Sequence, residues 1–176
     1  DTICQISTGY FGCRDKKGNF NPRSFEQKAK KEQVKMIEIK LSQGAKPGHG
    51  GMLLAPKVTQ EIAKSRGIAM HQDCISPAKH SEFSNPEELL RFVDKLRKLS
   101  GGKPVGIKLC VGHPWEIISI IKTMTTTKKY VDFITVDGAE GGTGAAPAEF
   151  TDHIGCPLKD AIVFVDNALV GANLRD

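Results

Sequence analysis

The feature that most constrains the fold of this chain is the alternation of short apolar runs with segments of helical spacing. The apolar runs predict strands at 34–41, 104–110, 131–136 and 161–165. Runs that are apolar throughout are typical of parallel sheets, and alternating strands and helices build such sheets with right-handed crossovers. Four strands form either a small open sheet or about half of a (β/α)8 barrel, which needs eight strands and about 250 residues.

The helical segments carry start and stop signals. Asn85 is a natural N-cap, Pro86 takes the first helical position, and the glycines at 101–102 end that helix. Its apolar spacing is expected to bury Leu89, Phe92, Val93 and Leu96. The sequence also predicts helices at 26–33, 57–66 and 114–127, a stop at Gly67, a brief extended segment at 74–78, and an N-cap at Asn167.

Length and composition fit a single soluble globular domain over residues 1–176. The net charge is only +5, and part of it lies in the run 28–31 beside Glu26 and Glu32, which is typical of a solvated helix face. Without a basic stripe interleaved with aromatic residues, a nucleic-acid partner is not expected. No apolar stretch has the length of a membrane span and no signal peptide is visible, so a cytoplasmic protein is expected.

The cysteines argue against both a disulfide framework and a metal site. There are five of them, an odd number, and no two have the Cys-x-x-Cys spacing. Reduced thiols are the simplest interpretation, with Cys110 as a small core residue in its strand. The histidines have no metal-type spacing either, so no metal site is predicted in this stretch.

The two ends of the sequence suggest a longer parent protein. The sequence begins at Asp1 without a methionine, and it stops at 174–176, where a helix is under way. We expect the sequence to be an internal stretch of a longer polypeptide. Whether a membrane anchor lies ahead of residue 1 is left open.

The loop that follows the first predicted strand indicates ligand binding. Residues 40–51 combine Lys40 and Lys46 with four glycines. Ligands of α/β proteins bind where strands end, and cationic side chains with exposed backbone amides suit a phosphate or a carboxylate. The alternative is a surface loop whose lysines are merely solvated.

Two further strand ends carry suggestive chemistry. Lys108 lies in an apolar strand, where its ammonium needs an anion or an acceptor, unless it is an edge lysine that points outward. Asp137 is followed by the glycine-rich segment 138–147, which allows backbone to approach a ligand, although a flexible turn is the competing interpretation. Asp137 and Glu140 would either orient a ligand or cap the turn.

Several motifs resemble, in order along the chain, the FMN-binding synthase domain of glutamate synthase. They are 40–51 (KLSQGAKPGHGG), 75–77 (ISP), 105–108 (VGIK), 137–147 (DGAEGGTGAAP) and 173–176 (NLRD). The opening stretch 6–14 (ISTGYFGCR) is similar to the stand-alone glutamate-synthase-related FMN-binding proteins. The resemblance implies an α/β fold of parallel (β/α) units, forming about half of a TIM-type (β/α)8 barrel with FMN at the C-terminal ends of its strands.

The resemblance also implies roles for individual residues. The residues it places around the flavin are Lys40, Gln43, Lys108, Asp137, Gly141, Gly142 and Thr143. Lys46 and Arg66 would hold the carboxylates of a 2-oxo acid substrate, where paired cations make physical sense. No catalytic residue is assigned, and an iron–sulfur cluster is expected only outside this stretch.

The activity implied by the resemblance is that of an FMN-dependent oxidoreductase acting on CH–NH2 donors. It would reduce a 2-imino or 2-oxo acid to an amino acid, in glutamate biosynthesis and ammonia assimilation. The sequence does not identify the electron donor, and the oligomeric state is left open. The 176-residue stretch alone is expected to be inactive. His49 and Met52 stand where the family commonly has Glu and Gln, which leaves a substrate other than 2-oxoglutarate open.

Two other classes of protein stay open. One is a barrel enzyme without flavin that binds a phosphorylated metabolite through the same lysine and glycine loops. The other is an inactive relative that serves as a scaffold.

Overall fold

The computed structural model describes residues 1–141 and 146–175 as an α/β protein. Its elements, in chain order, are β1 (Thr2–Ile6), α1 (Pro22–Ala29), β2 (Val34–Lys40), β3 (Met52–Leu53), a 3-10 turn (Ala55–Lys57), α2 (Gln60–Arg66), β4 (Cys74–Ile75), α3 (Pro86–Leu99), β5 (Val105–Leu109), α4 (Pro114–Thr127), β6 (Ile134–Val136) and α5 (Leu158–Gly171). No helix within these described ranges is long and apolar enough to cross a membrane.

The main sheet has four parallel strands in the order β1-β2-β5-β6. The order never reverses, so right-handed crossovers place the connecting helices on one face of the sheet, as in a barrel. Side chains from that face, including Ile37, Ile39 and Ile107, are fully buried against the helices. The predicted fold class is confirmed: parallel strands alternate with helices in a way consistent with part of a TIM-type barrel.

The predicted helix signals are confirmed where capping chemistry is strong. The Asn85 side chain accepts a hydrogen bond from the Glu88 amide at 2.9 Å, and α3 begins at Pro86. Gly67 ends α2 in the left-handed conformation, with φ 65°. Helix α4 covers the predicted range, whereas α1 begins four residues earlier than predicted because Asn21 caps it at Ser24.

The predicted strand at 161–165 is wrong, because these residues lie inside α5. Ala161 and Val165 are buried and four residues apart, so they form one face of a helix. A short, uniformly apolar run does not distinguish a buried strand from a helix. Asn167 is also within α5, so its predicted role as an N-cap is wrong; α5 begins after Pro157.

The fourth strand of the sheet is β1, which the apolar-run criterion missed. Its sequence alternates, with Cys4 and Ile6 buried and Gln5 on the opposite face. Alternation is typical of a strand whose two faces meet different environments. Strand β1 therefore lines one edge of the sheet and adds a polar residue to its other face.

Candidate functional site

The face of the sheet that the helices leave uncovered carries a row of polar side chains. The strand register places Gln5 opposite Glu38, Lys40 opposite Lys108, and Lys108 opposite Thr135. Successive side chains of a strand point to opposite faces, so these residues share a face while the apolar residues between them fill the core. In a closed barrel this face would be the interior.

Glu38 is a buried carboxylate whose two oxygens are both hydrogen-bonded. Its Oε1 accepts from the Gln5 amide and its Oε2 from the Thr135 hydroxyl, each at 2.6 Å. Gly106 of β5 lies beside Glu38 in the register, and the Phe133 ring fills the space that a side chain at Gly106 would take. Sequence analysis missed this group; the available signal was a charged residue inside an apolar run, two positions before Lys40.

Lys40 and Lys108 form a pair of cations at the C-terminal end of β2 and β5. Burial lowers the pKa of the Lys40 ammonium, and the positive charge of Lys108 lowers it further, while Asp137 opposes the shift. The Lys40 Nζ donates to the Gln43 Oε1 at 2.9 Å. Two positive charges held this close favour the binding of an anion between or beside them.

Lys108 has the anionic partner that its buried strand position requires. Its Nζ lies 3.5 Å from the Asp137 Oδ2. Strand β5 is in the middle of the sheet, so the alternative of an outward-pointing edge lysine is wrong.

Asp137 also joins the two loops that carry the glycine motifs. Its Oδ2 accepts a hydrogen bond from the Gly44 amide at 2.9 Å. A Cβ on Gly44 would lie 1.5 Å from the Gly138 carbonyl oxygen, so only glycine allows this approach. The loops after β2 and β6 are therefore packed against each other.

Four of the nine residues with predicted ligand roles line one cavity of about 420 Å³, which we call the polar cavity. Lys40, Gln43, Lys46 and Arg66 contribute to its wall, together with the end of β1 and the segment 48–53. The structure thus brings three cationic side chains to one concave surface, although 20 or more residues separate Arg66 from the other two. Lys108 and Asp137 lie next to Lys40 rather than in the cavity wall.

The environments of Lys46 and Arg66 differ from those of surface cations. Lys46 is 2% exposed, so the alternative of a solvated lysine is wrong at this position. The Arg66 guanidinium lies over the Phe11 ring, 4.9 Å from its centroid, and its NH1 is 3.5 Å from the Cys74 Sγ. Stacking on an aromatic face fixes the plane of the guanidinium and leaves its remaining donors for a ligand.

The two residues that depart from the family pattern both line the polar cavity. The His49 Nδ1 is 2.9 Å from the Gly50 carbonyl oxygen, which fixes a protonated Nδ1 as the donor, and its ring meets Phe150 edge-on. Met52 is part of the short β3 and is largely exposed. This part of the cavity wall therefore carries the imidazole of His49 and the thioether of Met52.

Of the remaining predicted residues that the structure describes, Glu140 and Gly141 do not line the cavity. The Gly141 amide donates to the Asp152 Oδ1 at 2.9 Å. Glu140 accepts from the Leu158 amide at 2.8 Å, at the first residue of α5, and not from its own turn as the capping interpretation had it. Gly142 and Thr143 lie outside the described residues.

The cysteines are free thiols, four of them buried. Burial raises the pKa of Cys13 to about 11, so that thiol is protonated at neutral pH. Within residues 1–141 and 146–175, no three His, Cys, Asp or Glu side chains come together in a group that could hold a metal ion.

A second cavity, of about 590 Å³, lies between the N-terminal ends of α3 and α4. It shares Leu41, Ser42, Gly48 and Ala78 with the polar cavity, so these residues form a common wall. Its lining is mainly apolar. It is the larger of the two, but only Lys79 among the described residues that line it is a lysine or arginine, whereas Lys40, Lys46 and Arg66 line the polar cavity.

Comparison with known proteins identifies relatives along the whole chain. Residues 1–176 match a family model described as a conserved region in glutamate synthase. The chain is 45% identical over 175 residues to the glutamate synthase large subunit-like protein YerD of Bacillus subtilis, covering 99% of this chain and 33% of that protein. It is 37% identical over 179 residues to an archaeal glutamate synthase (NADPH) of Methanocaldococcus jannaschii, covering 99% and 31%. It is also 33% identical over 143 residues to a ferredoxin-dependent glutamate synthase of Antithamnion sp., covering 81% and 9%. The chain therefore spans about a third of the length of the first two relatives.

Proposed function

The chain belongs to the glutamate synthase family, and from that premise we propose that it is part of an FMN-dependent oxidoreductase that reduces a 2-imino or 2-oxo acid to an amino acid. The observation that carries the proposal is the facing pair Lys40 and Lys108 at the ends of β2 and β5, next to a cavity with two further cations. In barrels of this type the ligand binds at that end of the strands.

The residues present fit an anionic flavin. Lys40 and Lys108 place two ammonium groups on one face; burial lowers the pKa of Lys40, and repulsion by the charge of Lys108 lowers it further. An anion beside them would offset that repulsion, and a cation near a flavin's pyrimidine edge stabilises the reduced, anionic form. Reduced FMN supplies the hydride for the conversion of an imine to an amine when it is bound.

The side chains divide the binding work. The flavin would be bound by Lys40 and Lys108, together with Gly141, Gly142 and Thr143. Gln43 accepts a hydrogen bond from the Lys40 ammonium, and Asp137 pairs with Lys108. Arg66, oriented by Phe11, and Lys46 would hold the carboxylates of the substrate across the cavity. Both sets of cations open onto one surface, as a reaction between flavin and substrate requires.

We assign residues 1–176 to a single FMN-binding domain that this stretch forms in part. One hydrophobic cluster extends through all four parallel strands and helices α1, α3, α4 and α5, which supports a single domain. The names of the relatives give NADPH and ferredoxin as electron donors of those proteins. A donor of one of these two classes is proposed here as well.

The activity is tested on the full-length protein that contains this chain. The protein is reduced without oxygen, and its reoxidation is followed after addition of ammonium and one 2-oxo acid from a panel that includes 2-oxoglutarate. We expect one 2-oxo acid to reoxidise the protein only when ammonium is present, with formation of the matching amino acid. His49 and Met52 lead us to expect a different ranking of acids from that of a glutamate synthase with Glu and Gln at these positions.

The panel also separates the alternatives. A flavin-free protein that binds a phosphorylated metabolite would contradict the proposal. A flavin-loaded protein that no 2-oxo acid reoxidises would point to an inactive relative.

A further inference from the structure

His80 is a buried histidine in the wall of the second cavity. It is 7% exposed. Its ring stacks on Phe83, with centroids 4.8 Å apart, and meets the edge of Tyr10 at 5.4 Å. Both contacts restrict rotation of the imidazole, so its two nitrogens point at fixed partners.

The partners of His80 determine its tautomer. Nε2 is 2.9 Å from the Lys40 carbonyl oxygen, which can only accept, so Nε2 carries the proton. Nδ1 is then an acceptor, and the Tyr10 hydroxyl, at 3.1 Å, donates to it. The same hydroxyl accepts from the Glu82 amide at 3.3 Å. In the neutral imidazole both nitrogens are satisfied in this way, the one as donor and the other as acceptor.

The Lys40 carbonyl needs this partner because the sheet does not provide one. Strand β1 ends at Ile6, which pairs with Ile39, so β1 has no residue beside Lys40. The next amide, that of Leu41, bonds to the Lys108 carbonyl oxygen at 2.8 Å on the other side. His80 thus fixes the point at which the chain leaves β2, from which the Lys40 side chain extends towards the polar cavity.

We propose that His80 is a positioning residue for the anion-binding site: by donating from Nε2 to the Lys40 carbonyl, with Tyr10 holding the tautomer, it sets the place of the Lys40 ammonium. The inference rests on the proposed function, since FMN binding is one of its readouts. In this role the imidazole acts on the site by holding Lys40 and does not itself contact the flavin.

The arrangement implies a dependence on pH. Burial lowers the pKa of His80 from its ordinary value of 6.5, while the Lys40 carbonyl and the charge of Glu82 oppose the shift. The other charged groups nearby are Lys95 of α3, paired with Glu82, and Lys79, on the same cavity wall. Because the folded state favours the neutral imidazole, its stabilising contribution is complete above pH 6.5 and is lost as the pH falls through the folded pKa.

Two amide variants separate the roles of the two nitrogens. A glutamine amide reaches the Nε2 position, so His80→Gln retains a donor to Lys40; an asparagine amide reaches only the Nδ1 position, so His80→Asn loses it. His153 is exposed, and His153→Gln and His153→Asn are the matched controls. In the full-length protein we expect His80→Asn to weaken FMN binding about fivefold, the scale of one lost hydrogen bond. His80→Gln should bind FMN within about twofold of wild type.

The pH profile gives a readout that packing alone would not move. The free energy of unfolding of wild type, relative to that of His80→Gln, should fall as the pH falls below 6.5, because the buried imidazole titrates and glutamine does not. Equal weakening of FMN binding by the two His80 variants would overturn the proposal.

The inference can fail separately from the proposed function. Nitrogen NMR of wild type should show the Nε2–H tautomer of His80, and the Leu41 amide should exchange faster in His80→Asn than in His80→Gln. If wild type binds no FMN, the proposed function fails, and these two measurements decide the positioning role. An Nδ1–H tautomer, or equal exchange of Leu41 in both variants, would overturn it without any reference to flavin.

Discussion

The Oδ2 atom of Asp137 lies 2.9 Å from the Gly44 amide nitrogen and thereby connects the loops that follow β6 and β2. The same oxygen lies 3.5 Å from the Lys108 Nζ. One carboxylate therefore holds the two glycine loops together and balances part of the charge of the lysine pair. A neutral side chain of the same shape would keep the first role and lose the second.

Replacement of Asp137 should separate these two roles. Asp137→Asn retains an oxygen for the Gly44 amide, so we expect its free energy of unfolding to stay within about 1 kcal/mol of wild type. Asp137→Ala leaves that amide without its partner and should lower the free energy of unfolding by about 1–3 kcal/mol. Urea unfolding of the full-length protein checks this, and equal losses in both variants would contradict the role of the Gly44 bond.

Loss of either lysine of the facing pair should weaken the cofactor complex. Lys40→Met and Lys108→Met each remove a charge-assisted contact worth about 1.5–3 kcal/mol, or about 10- to 100-fold in the dissociation constant of FMN. Lys122 is exposed on α4, so Lys122→Met is the matched control. Titration with FMN, followed by flavin fluorescence, measures the effect. Three variants with the same affinity would show that the pair does not contact the flavin.

The buried carboxylate of Glu38 should stabilise the polar face through its hydrogen bonds more than through its charge. Glu38→Gln can pair with both Gln5 and Thr135, because the Thr135 hydroxyl can accept as well as donate. Glu38→Ala removes the hydrogen bonds to the exposed Gln5 and the half-buried Thr135, at a cost of about 0.5–1.5 kcal/mol for each. We expect Ala to destabilise clearly more than Gln, and the exposed Glu32→Ala to have little effect on the unfolding midpoint. A destabilisation by Gln as large as that by Ala would point to the charge instead.

Arg66 should affect the substrate rather than the flavin. Arg66→Lys keeps the charge but loses the planar guanidinium that stacks on Phe11. We expect the KM for the 2-oxo acid to rise about tenfold or more, with the FMN affinity unchanged. Arg91, exposed and paired with Glu87 on α3, provides the control Arg91→Lys. A loss of FMN without a change in KM would contradict the division of roles.

The sequence predicted a group of residues that the structure brings together, because the signals of the loop after β2 are local. Lys40, Gln43, Lys46 and Arg66 share a cavity, and their ligand roles stay predictions. The polar cluster around Glu38 was not predicted. Its partners are 33 and 97 positions away along the chain, and only the register of three strands brings them together.

The errors in secondary structure have a similar cause. The run 161–165 is apolar at every position, so its period is hidden, and tertiary packing of Ala161 and Val165 makes it helical. Strand β1 was missed for the opposite reason, since its alternating polar residues are exposed on one face. His80 could not be predicted either, because its role depends on Tyr10, 70 residues earlier.

The central claim is that this stretch belongs to a protein that binds FMN. The most direct test is the absorbance spectrum of the full-length protein, with chromatographic identification of any cofactor it releases. The account predicts the bands of an oxidised flavin and the release of FMN. A colourless, folded protein that also fails to take up added FMN would contradict it and would assign the lysine and glycine loops to another anionic ligand.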